Sequence, residues 1–185
     1  MKLLLIMMYR LFIAIDLPEN VRRQILTICT GLEHVKWVSD EQSHLTLRFI
    51  GEADGLLLED LCRILSELEA DSFSLQIQGT GYFPPRGEPK VLWAGVTESP
   101  ELKKLYGKIN KALVQCGIMR EKRKFTPHIT LGRIKGESSR SVAVYLNRHH
   151  RFKSPPFTVD QYHLYTSRLT PRGAIHEKLA SFLLD

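Results

Sequence analysis

At 185 residues, 43% hydrophobic and 25% charged with no low-complexity tract, the chain suits one domain or two intimate lobes around a buried core. Its 26 basic and 20 acidic residues give a formal charge of +6, which fits a polyanionic ligand such as RNA without requiring one. Cys29, Cys62 and Cys116 are odd in number and widely spaced, with no Cys-x-x-Cys or Cys/His cluster, which argues against a disulfide framework or a zinc site.

Met1 to Met8 is apolar after Lys2, but its apolar run is short, breaks at Tyr9-Arg10 and lacks a small-residue cleavage site. It reads as an extension of the first strand, or as the product of a start codon upstream of Met7 or Met8. No segment has the length of a membrane span, and the expectation is a cytoplasmic protein. Tyr9 to Ile15 reads as a short apolar strand ended by Asp16-Leu17-Pro18. A helix follows, with Val21, Ile25, Ile28, Cys29 and Leu32 at helical spacing and Gly31 where it ends. Val35 to Val38 is a minor strand, and His44 to Ile50 is a strand stopped by Gly51. Leu57, Leu61, Ile64, Leu65 and Leu68 mark an amphipathic helix, and Phe73 to Gly79 alternates as a strand.

Gly79 to Gly87 is the one long turn-rich stretch in the middle of the chain. Val91 to Val96 is a strand. Ser99-Pro100 then opens a helix whose buried face carries Leu102, Leu105, Ile109, Ala112 and Leu113. A basic loop, Arg120 to Lys124, precedes the strand His128 to Ile134. Ser139 to Arg148 is a weaker helix, Phe157 to Thr166 a strand, and His176 to Leu184 a further strand.

Within this order one tetrapeptide pattern recurs. His44-Leu45-Thr46-Leu47 is matched 84 residues later by His128-Ile129-Thr130-Leu131. Side chains alternate along a strand, so each copy presents an imidazole and a hydroxyl on one face and two aliphatic groups on the other. Two such runs among the chain's histidines would arise by chance roughly twice in a thousand sequences of this composition. The halves around them repeat as strand, helix, motif strand, helix, strand. The expected fold is therefore α+β: a single bilobal domain over 1–185, with repeat halves at roughly 9–79 and 90–166 and a closing strand at 174–184. Each lobe is a mainly antiparallel sheet with helices outside, related to the other by an approximate twofold, and the active-site cleft lies between them.

Two imidazoles without metal ligands suit in-line phosphoryl chemistry. One takes a proton from the attacking water and the other gives one to the departing oxygen. The threonine hydroxyls would hydrogen-bond the non-bridging phosphate oxygens. No cofactor is called for, and the chain is read as a monomer without a membrane partner.

The chain resembles the RNA 2′,3′-cyclic phosphodiesterases of the two-histidine phosphoesterase superfamily, the LigT-like proteins once called 2′-5′ RNA ligases. The marks are Arg10 to Ile15, Trp37-Val38, His44 to Gly51, Phe83-Pro84 followed by Val91 to Val96, Phe125 to Arg133, and Ser167 to Pro171. They span nearly the whole chain. The resemblance implies metal-independent opening of an RNA-terminal 2′,3′-cyclic phosphate to a 2′-phosphate. It makes His44 the proton donor, His128 the proton acceptor, and Thr46 and Thr130 the phosphate-binding hydroxyls. Arg133 matches an arginine that approaches the phosphate, the alternative being a surface charge. At His176, where relatives often carry tyrosine, the place in the closing strand suggests packing.

Phe125 and Arg123 are candidate RNA contacts, Arg123 within a basic loop that could equally be solvated. Phe49 is read as core. His149 and His150 are read as a solvated basic helix end, and His34 and His163 as structural or exposed. Two rivals stand beside hydrolysis: 2′-5′ RNA end joining in the same site, and an RNA-binding module without turnover.

Overall fold

The computed structural model describes residues 8–171 and 173–185, so the N-terminal stretch read as a strand extension or an upstream start lies, apart from Met8, outside the described residues. The first half of the chain runs β1 (Tyr9–Asp16), α1 (Glu19–Ile28), β2 (Val35–Trp37), a 3₁₀ turn (Asp40–Gln42), β3 (His44–Ala53), α2 (Gly55–Ser66), β4 (Phe73–Leu75) and β5 (Ile77–Phe83). The second runs β6 (Val91–Val96), α3 (Pro100–Gln115), β7 (His128–Ile134), α4 (Ser139–His149), β8 (Phe157–Val159), β9 (Gln161–Thr170) and β10 (Gly173–Leu183).

Helices α2, α3 and α4 begin where a side chain supplies an acceptor for one of their first free N–H groups. Asp54, Ser99 and Ser138 accept from the backbone N–H groups of Leu57, Leu102 and Ser141 respectively. Pro100 occupies the first turn of α3, where a missing N–H costs nothing. Their apolar stripes, Val21 and Ile25 on α1 and Leu102, Leu105 and Ile109 on α3 among them, join one core cluster with Leu45, Leu47, Ile129 and Leu131. Burying each such side chain contributes roughly 1.5–3 kcal/mol. These four aliphatics therefore hold the motif strands in the phase that turns their polar neighbours outward.

The strands form one sheet in the order β10-β9-β1-β3-β7-β6-β5, with β2 also paired to β7, and every pairing is antiparallel. The sheet nearly divides at its middle, since β3 and β7 share only the pair Leu45↔Ile129. That joint is the place of the approximate twofold. Strand β5 leaves the first half of the chain to pair with β6, and β9 leaves the second half to pair with β1. The short strands β4 and β8 pair with one another away from the main sheet.

Four sequence expectations change in detail. Phe73 to Gly79 is two strands that divide at Gln76, and Phe157 to Thr166 divides likewise at Asp160, because each segment serves both the small sheet and the main one. The first part of the turn-rich stretch, Gly79 to Phe83, is strand β5. Its Gly81 is required by packing, as a Cβ there would lie 2.2 Å from the Trp93 ring of the neighbouring strand. Strand β3 does not stop at Gly51. This glycine adopts φ +98 beside the skipped residue Ile50, and the ladder to β1 continues through Arg10↔Glu52 and Tyr9↔Ala53.

Candidate active site

Pairing Leu45 with Ile129 in antiparallel register sets His44 beside Thr130 and Thr46 beside His128 on the opposite face of the sheet. The two motifs thus form one patch of two imidazoles and two hydroxyls at the joint between the lobes. All four residues are half-buried, while Leu45, Leu47, Ile129 and Leu131 beneath them are buried.

Both motif strands carry a bulge at the same place. The ladder from β1 skips Leu47, passing from Ala14↔Thr46 to Ile13↔Arg48, and the ladder from β6 skips Leu131, passing from Trp93↔Thr130 to Leu92↔Gly132. An extra residue inverts the alternation of the strand beyond it. Phe49 and Arg133, which strict alternation would turn toward the core, are therefore delivered to the cleft. This corrects the reading of Phe49, which is 61% exposed and lies 5.8 Å from Phe12 across the cleft face. Arg133 is exposed and lines the same cavity as Thr130.

Two cavities flank the patch. One, of about 310 Å³, is lined by His44, Thr46, Thr130 and His176, and by the cations Arg10, Lys36 and Arg133, with no carboxylate among its lining residues. The other, of about 400 Å³, lies on the His128 side and is lined by Phe49, Phe83, Tyr106, Phe125, Arg123 and Glu121, among others. Thr46 and Phe49 border both.

The imidazoles are held differently. His128 Nδ1 lies 2.7 Å from the Thr126 carbonyl oxygen. A carbonyl only accepts, so Nδ1 carries the hydrogen and Nε2 is left with its lone pair. Phe83 meets the His128 ring edge-on at 4.9 Å. His44 instead sits among rings, with Phe12 at 5.0 Å, His176 at 5.4 Å and Tyr165 at 6.3 Å. Burial, and then the charge of His176, push the His44 imidazole down to about 4, while Asp16 pulls the other way. His128 is also lowered by burial, against the upward pull of the Thr126 carbonyl.

Behind His44, Asp16 accepts from the Tyr165 hydroxyl at 2.5 Å and from Lys178 Nζ at 2.8 Å. His163 is fully buried, with Nδ1 2.9 Å from Ser181 Oγ and Nε2 3.4 Å from Asp16. This network fixes Tyr165, whose ring stacks on Phe12 at 5.2 Å, and Phe12 packs against His44.

The sequence reading missed that His176 enters the site. Its ring packs on Phe12 as expected, but it also meets His44, lines the cationic cavity, and its buried Nδ1 has no hydrogen-bond partner among the described residues. Arg10, Lys36 and Gln42 were likewise not singled out, and only the pairing of distant strands brings them here. Of the candidate RNA contacts, Phe125 stacks on Tyr106 at 3.9 Å, and Arg123 pairs with Glu121 at 3.1 Å. His34, His149 and His150 do not line either cavity. Among the described residues, no three His, Cys, Asp or Glu side chains converge to hold a metal ion. No helix among them is long and apolar enough to cross a membrane.

The 2′-5′ RNA ligase superfamily matches residues 17–170 of the chain. A protein of Thermotoga maritima named RNA 2′,3′-cyclic phosphodiesterase is 37% identical over 180 residues, covering 92% of each chain. One of the same name from Archaeoglobus fulgidus is 34% identical over 176 residues, covering 94% of this chain and 99% of its own. Among solved structures, E. coli LigT complexed with 3′-AMP superposes with a TM-score of 0.80 at 25% identity, covering 96% of this chain and 99% of that one.

Proposed function

The chain belongs to the 2′-5′ RNA ligase superfamily, and from that premise we propose that it hydrolyses the 2′,3′-cyclic phosphate at the end of an RNA, leaving a 2′-phosphate and a free 3′ hydroxyl. The observation that carries the mechanism is the hydrogen bond from His128 Nδ1 to the Thr126 carbonyl, which leaves Nε2 as an acceptor. His128 takes a proton from a water on its side of the patch, and the water oxygen attacks phosphorus. The bond from phosphorus to O3′ breaks in line with the attack, and His44 gives its proton to that oxygen. Thr46 and Thr130 donate to the non-bridging oxygens as charge grows on them. Arg10, Lys36 and Arg133 draw the phosphate into the cavity they line. The terminal nucleoside occupies this cationic cavity, beside the histidine that protonates its departing oxygen.

In this reading the protein acts as a monomer on RNA in the cytoplasm, without a cofactor. The test is mass spectrometry of a short RNA ending in a cyclic phosphate after incubation with the protein. The expected product is heavier by one water and carries its phosphate on the 2′ oxygen. Substrate that is bound but returned unchanged would overturn the reading in favour of an RNA-binding module, and a 3′-phosphate product would overturn the assignment of the departing oxygen.

A further inference from the structure

A third cavity, of about 610 Å³, lies outside the cleft, between the turn Gly31 to His34 and helix α4. Strand β2 joins it to the cationic cavity. Val35 is buried, so its neighbours His34 and Lys36 share the opposite, exposed face, about 6.6 Å apart along the strand. His34 lines the third cavity and Lys36 the cationic one. Trp37, in the lining of the cationic cavity, lies 5.8 Å from Tyr145, in the lining of the third.

The charges along this route are placed against the interest of folding. Lys36 lies directly opposite Arg133 in the ladder between β2 and β7, and the next step sets His34 beside Lys135, whose N–H donates to the His34 carbonyl at 2.6 Å. Like charges directly opposite one another weaken a sheet, and an anion lying between them offsets the repulsion. Farther on, Arg140, Val144 and Arg148 recur every fourth residue of α4, so they form one stripe about 12 Å long that lines the third cavity. Helix α4 carries no Asp or Glu. Two carboxylates border the cavity: Glu137 accepts from the His34 N–H at 2.8 Å, and Glu33 is exposed on the turn before β2. Lys36, Arg133, Lys135, Arg140 and Arg148 therefore outnumber the anions along the whole route.

We propose that this ladder of cations, running from the cleft over β2 and the end of β7 to α4, is the bed for the body of a single-stranded RNA whose 3′ end sits in the cleft. The inference rests on the hydrolytic reading for what happens at that end. The cyclic phosphate lies beside Lys36 and Arg133, and the phosphates upstream of it pass Lys135 and lie against Arg140 and Arg148. Leu32 and the 60% exposed Val144 give the bases an apolar surface to rest on. Phosphate contacts position a strand without reading its sequence, so the bed selects for length and charge and not for particular bases.

The experiment compares uridine 2′,3′-cyclic phosphate with a hexauridylate ending in the same group, and reads kcat/KM on each. Wild type should favour the hexamer about tenfold at low salt, and the triple variant Lys135→Ala/Arg140→Ala/Arg148→Ala should bring that ratio close to one. On the hexamer, log(kcat/KM) should fall with log[salt] more steeply in wild type than in the triple variant, by about 2 in slope for three phosphate contacts. Because the ratio is internal to each protein, a general loss of activity does not affect it. Lys104→Ala/Lys108→Ala/Lys111→Ala removes the same charge from exposed positions of α3 and should keep the preference. A hexamer hydrolysed no better than the mononucleotide, or a preference kept in the first variant or lost in the second, overturns the RNA bed and leaves the hydrolytic reading standing. Absence of product from both substrates overturns the hydrolytic reading and the bed with it.

Discussion

His128 is held by a hydrogen bond, its Nδ1 donating to the Thr126 carbonyl, whereas His44 is held by the rings of Phe12, Tyr165 and His176. The two sit in near-identical tetrapeptides, on strands with the same bulge, at equivalent places in the sheet. The hydrogen bond fixes a tautomer and so prepares an acceptor. Aromatic packing fixes a ring plane and leaves either nitrogen able to carry a proton. The flanks differ in the same sense: the bulges deliver Phe49 on one strand and Arg133 on the other, and buried Arg48 stands where the second strand has Gly132. A repeated motif can thus become a directional site when the second layer of contacts is not repeated.

The largest effects come from removing either imidazole. His44→Ala and His128→Ala should each lower kcat about 10²- to 10⁴-fold on a cyclic-phosphate RNA. A phosphodiester that releases nitrophenolate departs without a proton, so His44→Ala should recover much of its loss on that substrate and His128→Ala should not. Rescue of His128→Ala instead would reverse the two roles.

Smaller losses should follow Thr46→Val and Thr130→Val, about 10- to 10³-fold in kcat, since each keeps its shape and loses one of the hydroxyls proposed to donate to the phosphate. Stopped assays of both variants beside wild type would measure this. Equal rates in all three would reduce the threonines to strand formers.

Burial lowers both histidines, so the bell of kcat/KM should peak on the acid side of 6.5, not around neutrality as two ordinary imidazoles would. The phosphate raises His44 once it is bound, so the kcat profile should lie alkaline of the kcat/KM profile. A kcat/KM maximum above pH 8 would contradict this. The same burial acts on folding. Below pH 6.5 the unfolded chain takes up a proton that folded His44 refuses until about 4, so stability is complete above 6.5 and declines between these values, by about 3 kcal/mol at most from this group. Urea titrations at pH 7 and pH 5 should show a smaller difference in His44→Ala than in wild type.

The smallest expected effect is that of exhaustive EDTA treatment on hydrolysis, which should be none, because in the proposed mechanism the two imidazoles carry both proton transfers. Loss of activity restored only by added zinc or manganese would end the metal-free mechanism.

Much of the molecule was legible in the chain itself. Periodicity located the helices, because their stripes are set by local geometry, and Ser99-Pro100 marked the start of α3. The recurrence of His-x-Thr-x identified the four polar residues of the cleft, because strand alternation is a property of the backbone. Gly81 and Gly51 misled for an equally physical reason. A glycine that admits a tryptophan ring, or sits at a bulge, looks in sequence like one that makes a turn.

What the sequence by itself determined is the repeat, the α+β class, and the imidazole–hydroxyl pair on each motif strand, since each of these follows from spacing along a single segment. The tertiary structure alone decided which residues surround each imidazole. The bulges at Leu47 and Leu131 that turn out Phe49 and Arg133, the carbonyl that sets the His128 tautomer, and the approach of His176 to His44 depend on pairing between strands far apart in the chain. Ladder registers and ring contacts of that kind are set by the packing of the whole sheet, and no local pattern encodes them.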